Sequence, residues 1–160
     1  MSENQFNIRV YGLLIREGSI LVTDEFRLGI FMTKFPGGAL EFGEGTIDCL
    51  KREFREELDT EIEVIRHFYT TDYYQPTKLL PSTMQLISIY YLVKPTQPLS
   101  FITREKEFDF PEVVEGAQAF RWISLSEISE NSVTLPIDKK VVGYGHIHSK
   151  ARIGILNLYF

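Results

Sequence analysis

A chain of 160 residues is long enough to bury one core without disulfides or a structural metal, and short for two domains of ordinary size. Its content of 44% hydrophobic and 24% charged residues is that of a soluble globular protein, which argues against disorder and against a membrane class. A net charge of -5 argues against a broad basic face, so no nucleic acid polymer is expected as a partner, and an anionic small substrate would need local help from cations.

The one cysteine, Cys49, has no internal disulfide partner, which suits a reducing compartment and excludes a cysteine zinc cluster. The cytoplasm is therefore the expected location. Met1 to Gln5 carries no basic stretch leading into an apolar core, and no apolar run approaches the roughly 18 residues needed to span a bilayer. No membrane association is expected.

In chain order, Phe6 to Ile15 is rich in apolar and β-branched residues, and Glu17-Gly18 turns it into Ile20-Leu21-Val22, which predicts a hairpin. Ile30 to Phe35 predicts a further strand, ended by Pro36-Gly37-Gly38, where a loop of unusual backbone geometry is expected to begin. Thr46 to Leu58 is the clearest helix, with Thr46 as N-cap and Ile47, Leu50, Phe54 and Leu58 recurring at helical spacing on a core-facing stripe. Strands are predicted again at Glu61 to Tyr69, Met84 to Lys94 and Ala117 to Ser124. The polar connections between them, Thr70 to Ser82 and Gln97 to Gly116, are long enough for functional loops. Ser124 to Glu130 is read as a short helix and Pro136 to Val142 as another, with proline in its first turn.

Helices interspersed among strands predict an α/β class in which helices cover a mixed sheet. Without repeat or linker, residues 1–145 are expected to form a single domain, followed by a C-terminal tail, 146–160. Asn157-Leu158-Tyr159-Phe160 resembles part of a protease-tag sequence, so this tail is either a docking strand or an added remnant.

Successive helical residues rotate by about 100°, so Glu53, Glu56 and Glu57 share one stripe beside the apolar one. Like charges three and four residues apart repel, and a divalent cation between them would reverse that cost. Carboxylate oxygens suit Mg²⁺, which keeps coordination positions for substrate phosphates. The competing reading is a solvated face in which Arg52, four residues before Glu56, makes an ordinary surface pair.

Gly38, Glu44 and Arg52-Glu53-Phe54-Arg55-Glu56-Glu57 together resemble the signature of the Nudix hydrolase family, G-x5-E-x7-R-E-U-x-E-E-x-G-U, in which U is a bulky apolar residue. Pro36-Gly37-Gly38 ahead of it and Phe120-Arg121-Trp122-Ile123-Ser124-Leu125 downstream are similar to the family's usual neighbours. Asp59 and Thr60 depart from the pattern, standing where the family has glycine and an aliphatic residue. Asp tolerates the left-handed conformation better than most residues, so the turn is expected to survive.

The resemblance implies an α/β/α sandwich binding one to three Mg²⁺ or Mn²⁺ ions against a diphosphate. It makes Glu53, Glu56 and Glu57 metal ligands, with the carbonyl of Gly37 or Gly38 nearby; Arg52 orients Glu53, and Glu44 braces Arg52. Water would attack phosphorus in line, its proton taken by Glu53 or by a carboxylate of the loop before the late strand, for which Glu115 is the candidate with Glu112 behind it. For the substrate, Tyr73 and Tyr74 are candidates to stack on a base and Lys34 to meet a phosphate. Pro76 lies at a spacing that resembles a marker of members that cleave ADP-ribose. His67, His146 and His148 are read as ordinary polar residues. The expected activity is metal-dependent cleavage of a phosphoanhydride in a nucleoside diphosphate derivative, namely a nucleoside triphosphate, a nucleotide sugar or ADP-ribose. The competing reading is a catalytically silent Nudix-like module that senses a nucleotide. A homodimer is an expectation carried by association with the family alone.

Overall fold

β-branched and aromatic runs on either side of one amphipathic helix build seven strands in the computed structural model, which describes residues 3–143 and residue 147. They are β1 (Gln5–Arg16), β2 (Ser19–Arg27), β3 (Ile30–Lys34), β4 (Gly37–Ala39), β5 (Ile62–Thr70), β6 (Met84–Pro95) and β7 (Ala117–Ser124). The helices are α1 (Thr46–Leu58) and α2 (Pro136–Gly143), and the class is α/β with a mixed sheet, as expected. The described residues form two compact units interleaved in sequence: those up to Leu13 with Pro36–Phe101, and Leu14–Phe35 with those from Ile102 onward.

The first unit orders its strands β4, β1, β6, β5 and packs α1 on β4 and β5. β4 is a correction to the expected loop: Gly37 and Gly38 pair antiparallel with Tyr11 and Val10. Glycines have low strand propensity, so this pairing is dictated by the partner strand rather than by local sequence. Gly37 has a φ of 142°, and a Cβ there would run into the backbone of Val10 and lie 2.8 Å from Tyr11 Cα.

α1 spans the predicted residues, with two differences in its first turn. The N-cap is Gly45, not Thr46, because Thr46 Oγ1 is bonded to the Tyr91 hydroxyl at 2.7 Å, away from the helix end. Ile47 is 42% exposed and Cys49 is buried in its place, with its thiol donating to the Ala39 carbonyl at 3.4 Å. Leu50, Phe54 and Leu58 are buried as expected, each stabilising the unit by roughly 1.5–3 kcal/mol. Asp59 ends the helix left-handed at φ 47°, its N–H on the Arg55 carbonyl and that of Thr60 on Phe54. Thr60, buried where the family prefers an aliphatic residue, satisfies its hydroxyl by donating to the Leu58 carbonyl at 2.9 Å.

In the second unit β2 is the hub: it pairs with the end of β1 across the Glu17-Gly18 turn, with β3 from Thr23 to Arg27, and with β7 along most of its length. The short helix expected at Ser124 to Glu130 is cut to one turn, in which the Glu127 and Ile128 N–H groups share the Ser124 carbonyl, and a 3₁₀ turn follows at Glu130–Ser132, where Ser129 and Ser132 cap each other reciprocally. Thr134 then zips onto Thr33, backbone to backbone and Oγ1 to N–H, and delivers the chain into α2 one residue longer than predicted. The tail expected at 146–160 lies outside the described residues apart from Ile147, which is buried. Among the described residues no helix is long and apolar enough to cross a membrane.

Candidate active site

The stripe opposite the buried face of α1 carries Arg52, and this side chain organises its surroundings. Nε and Nη2 donate to Glu44 at 3.0 and 2.7 Å, Nη2 also reaches the Ala39 carbonyl at 3.1 Å, and Nη1 donates to Glu53 at 3.0 Å and Glu56 at 3.2 Å. The planar fork is what allows one residue to hold three carboxylates and a carbonyl at once. Glu44 in turn accepts from the Glu41 N–H at 2.8 Å, so the loop before the helix is tied to the helix through one guanidinium.

The Glu44 carboxyl is held down to about 2, chiefly by the Arg52 hydrogen bonds and then by the Glu41 N–H. Arg52 is held above its ordinary value by the same bonds to Glu44, against the cost of its partial burial. The Cys49 thiol is pushed up to about 12, first by burial and then by Glu44. Its surroundings thus favour the neutral thiol over the thiolate.

Because Glu44 is depressed in the fold, its contribution to stability is complete above 4.5, its ordinary value, and is lost as pH falls toward 2. We expect urea midpoints of the native chain to drop across that interval more steeply than those of Glu44→Gln. Parallel curves would remove Glu44 from this role.

Glu53 is 13% exposed at its side chain and Glu56 59%. The Glu53 carboxylate lies in the space where Gly38 has no side chain, since a Cβ at Gly38 would overlap its Oε1, Cδ and Oε2 atoms alike. Gly38→Ala is expected to keep the fold, displace Glu53 by about 1 Å, and lower turnover roughly 100-fold with little change in KM. A change confined to KM would show that Glu53 is not the group being displaced.

Other sequence candidates are distributed as follows. Gly37 lies in β4 beside Gly38, and Glu57 is half-buried on α1. In the first unit, Tyr74 is exposed and Tyr73 half-buried in the irregular segment after β5. In the second unit, Lys34 is 3% exposed and its Nζ lies 3.4 Å from Glu25, so its charge is spent on a buried pair. Glu115 places both carboxylate oxygens on the Leu28 N–H, at 3.1 and 2.9 Å, and Glu112 is exposed. His67 bonds Thr70 at 2.8 Å, an ordinary polar role as expected, while His146 and His148 lie outside the described residues.

Sequence reasoning missed the Ala39 carbonyl and the Cys49 sulfur, which is 3.7 Å from Arg52 Nη2. No residue-type signal marks a backbone carbonyl. Cys49, three residues before Arg52 on the helix, was findable from spacing alone.

The NUDIX domain model matches residues 5–142. The chain belongs to the Nudix family, whose hydrolases act on phosphoanhydrides. Comparison with curated proteins gave no significant sequence match. Among solved structures, the E. coli ORF135 protein is similar at 18% identity and a TM-score of 0.64, with 91% of this chain and 93% of that one covered. A NUDIX hydrolase from Nitrosomonas europaea is similar at 19% identity and a TM-score of 0.62, covering 85% of each chain. An ADP-ribose pyrophosphatase from Streptococcus suis is similar at 13% identity and a TM-score of 0.54, covering 85% of this chain and 88% of that one. These likenesses establish the shared fold.

The donor set on α1 suits the divalent ion that the family implies: hard carboxylate oxygens, one of them seated against a glycine that leaves room for it. A preformed cage is not part of the arrangement, since among the described residues no three acidic, His or Cys side chains converge on one point. Arg52 Nη1 draws Glu53 and Glu56 to itself instead.

Proposed function

We propose that this chain is a Mg²⁺- or Mn²⁺-dependent pyrophosphohydrolase that cleaves a phosphoanhydride bond in a nucleoside diphosphate linked to another group: a nucleoside triphosphate, a nucleotide sugar or ADP-ribose. The observation that carries this reading is the Glu44–Arg52–Glu53 chain of charge-assisted hydrogen bonds, with Glu53 seated against Gly38. Glu53, Glu56 and Glu57, with the Gly37 carbonyl, would hold the ion, which supplies neutralisation of the diphosphate and a more acidic water.

The remaining work falls to the chain's own groups. Glu53 takes the proton of the attacking water, with the Arg52 bond at Oε1 fixing the carboxylate plane. Arg52 is a positioning residue whose own orientation comes from Glu44. Glu115 is the second candidate for proton acceptor, and it would have to release the Leu28 N–H to act. Tyr73 and Tyr74 are proposed to face the base, and Lys34 to serve a phosphate only if it parts from Glu25. We further propose a single functional domain over residues 1–145, a cytoplasmic location suited to one buried thiol, and a homodimer.

The alternative is a silent Nudix-like nucleotide sensor, favoured by the lack of convergence among the helix carboxylates. Incubating a panel of nucleoside diphosphate derivatives with the protein and Mg²⁺ separates the two. Release of nucleoside monophosphate or phosphate supports the enzyme, whereas ligand recovered intact from a bound complex supports the sensor.

A further inference from the structure

Glu53 and Glu56 stand one helical turn apart, and the gap between two like charges at that spacing is a place for a cation. In this structure a cation already fills it: a single atom, Arg52 Nη1, donates to Glu53 Oε1 at 3.0 Å and to Glu56 Oε2 at 3.2 Å. Arginine does not deprotonate, so this charge persists across the working pH range. The three carboxylates of α1 do not converge, and two of them point at the same guanidinium nitrogen.

The two bonds are unequal in their surroundings. Glu53 is enclosed and abuts Gly38, whereas Glu56 is largely in water, where an i,i+4 pair is weak. The other edge of Arg52 is anchored twice on Glu44 and once on Ala39, so loss of the Glu56 bond would leave the guanidinium where it is.

We propose that Arg52 is a built-in stand-in cation, and that a divalent ion is admitted to α1 by an exchange in which Glu56 leaves Nη1 while the Arg52–Glu44 bonds stay closed. This rests on the reading of the helix carboxylates as metal ligands and adds the order of events at that site. Glu56 is then the gate, Glu53 and Arg52 the fixed frame, and Arg52 competes with the ion that it helps to position.

The test titrates the 160-residue chain with Mg²⁺, followed by calorimetry and by side-chain nitrogen NMR of the arginines, with Arg52 signals assigned through Arg52→Lys. Exchange predicts that the Arg52 Nη signals move with the same dissociation constant as the heat, while Nε–H, bonded to Glu44, stays in place. Mg²⁺ binding with unmoved Nη signals, or with Nε–H moving equally, overturns the exchange and leaves the metal reading intact. Absence of Mg²⁺ binding overturns both. Arg52→Lys, which lacks the fork needed to reach Glu44 and Glu56 together, is expected to bind the divalent ion about twofold more tightly, matching the worth of an exposed i,i+4 pair. Unchanged or weaker affinity for that ion in a variant with a native melting curve would also overturn the proposal.

Discussion

Glu53→Gln is expected to lower turnover of the best phosphoanhydride substrate by roughly 10²–10⁴-fold, the range over which a positioned proton acceptor acts. The substitution keeps the size of the side chain and an oxygen that can accept from Arg52 Nη1, so the melting point should scarcely move. Lost are the negative charge and the second acceptor oxygen seated against Gly38. The control is Glu63→Gln, on β5 and paired with Lys94 at 3.2 Å, which should leave turnover unchanged. Full activity in Glu53→Gln would transfer the proton-acceptor role to another carboxylate, with Glu115 the next to test by the same substitution.

How much of this site the sequence disclosed follows from where each interaction lies along the chain. Glu44, Arg52, Glu53, Glu56 and Glu57 were legible because the helix fixes their mutual geometry and the family signature fixes the rest. The bounds of α1 were legible for the same reason, its period being local. β4 was not, because its two glycines carry no strand propensity and only the distant partners Val10 and Tyr11 make them extended. The cap was misplaced because Thr46 has a partner 45 residues away in Tyr91, and the cap preference of a threonine assumes that its hydroxyl is free. Ile47 was assigned inward because it recurs at helical spacing with Leu50, Phe54 and Leu58, while the first turn is docked through the smaller Cys49 against Ala39. Lys34 was read as a lysine available to a phosphate because its pairing with Glu25 depends on the β2–β3 register, which places them on one face.

The same blindness to register hid Asp24, and its removal carries the largest stability effect expected in the molecule. Asp24 is 0% exposed in the middle of β2. Its Oδ1 accepts from Thr33 Oγ1 at 2.7 Å and Arg121 Nη2 at 3.0 Å, and its Oδ2 from Arg121 Nε at 2.8 Å and the Phe108 N–H at 3.3 Å. One carboxylate thus joins β2, β3, β7 and the long connection before β7, where Phe108 is held left-handed at φ 54°. Arg121 is held above its ordinary value, first by its hydrogen bonds to Asp24, and Glu107 at 3.5 Å is exposed and too weakly placed to replace them. A buried pair adds little against an apolar replacement of both partners, yet removing one partner strands the other charge at a cost of about 3–5 kcal/mol. Asp24→Ala should therefore lose that much in urea unfolding at neutral pH. Arg121→Met combined with Asp24→Leu should recover most of it, because the stranded charge is gone. If Asp24→Ala alone cost under about 1 kcal/mol, or if the double change were no better than the single one, the carboxylate would not be the tie between these strands, and the connection at Phe108 would owe its conformation to the packing of Phe31 and Phe110 around it.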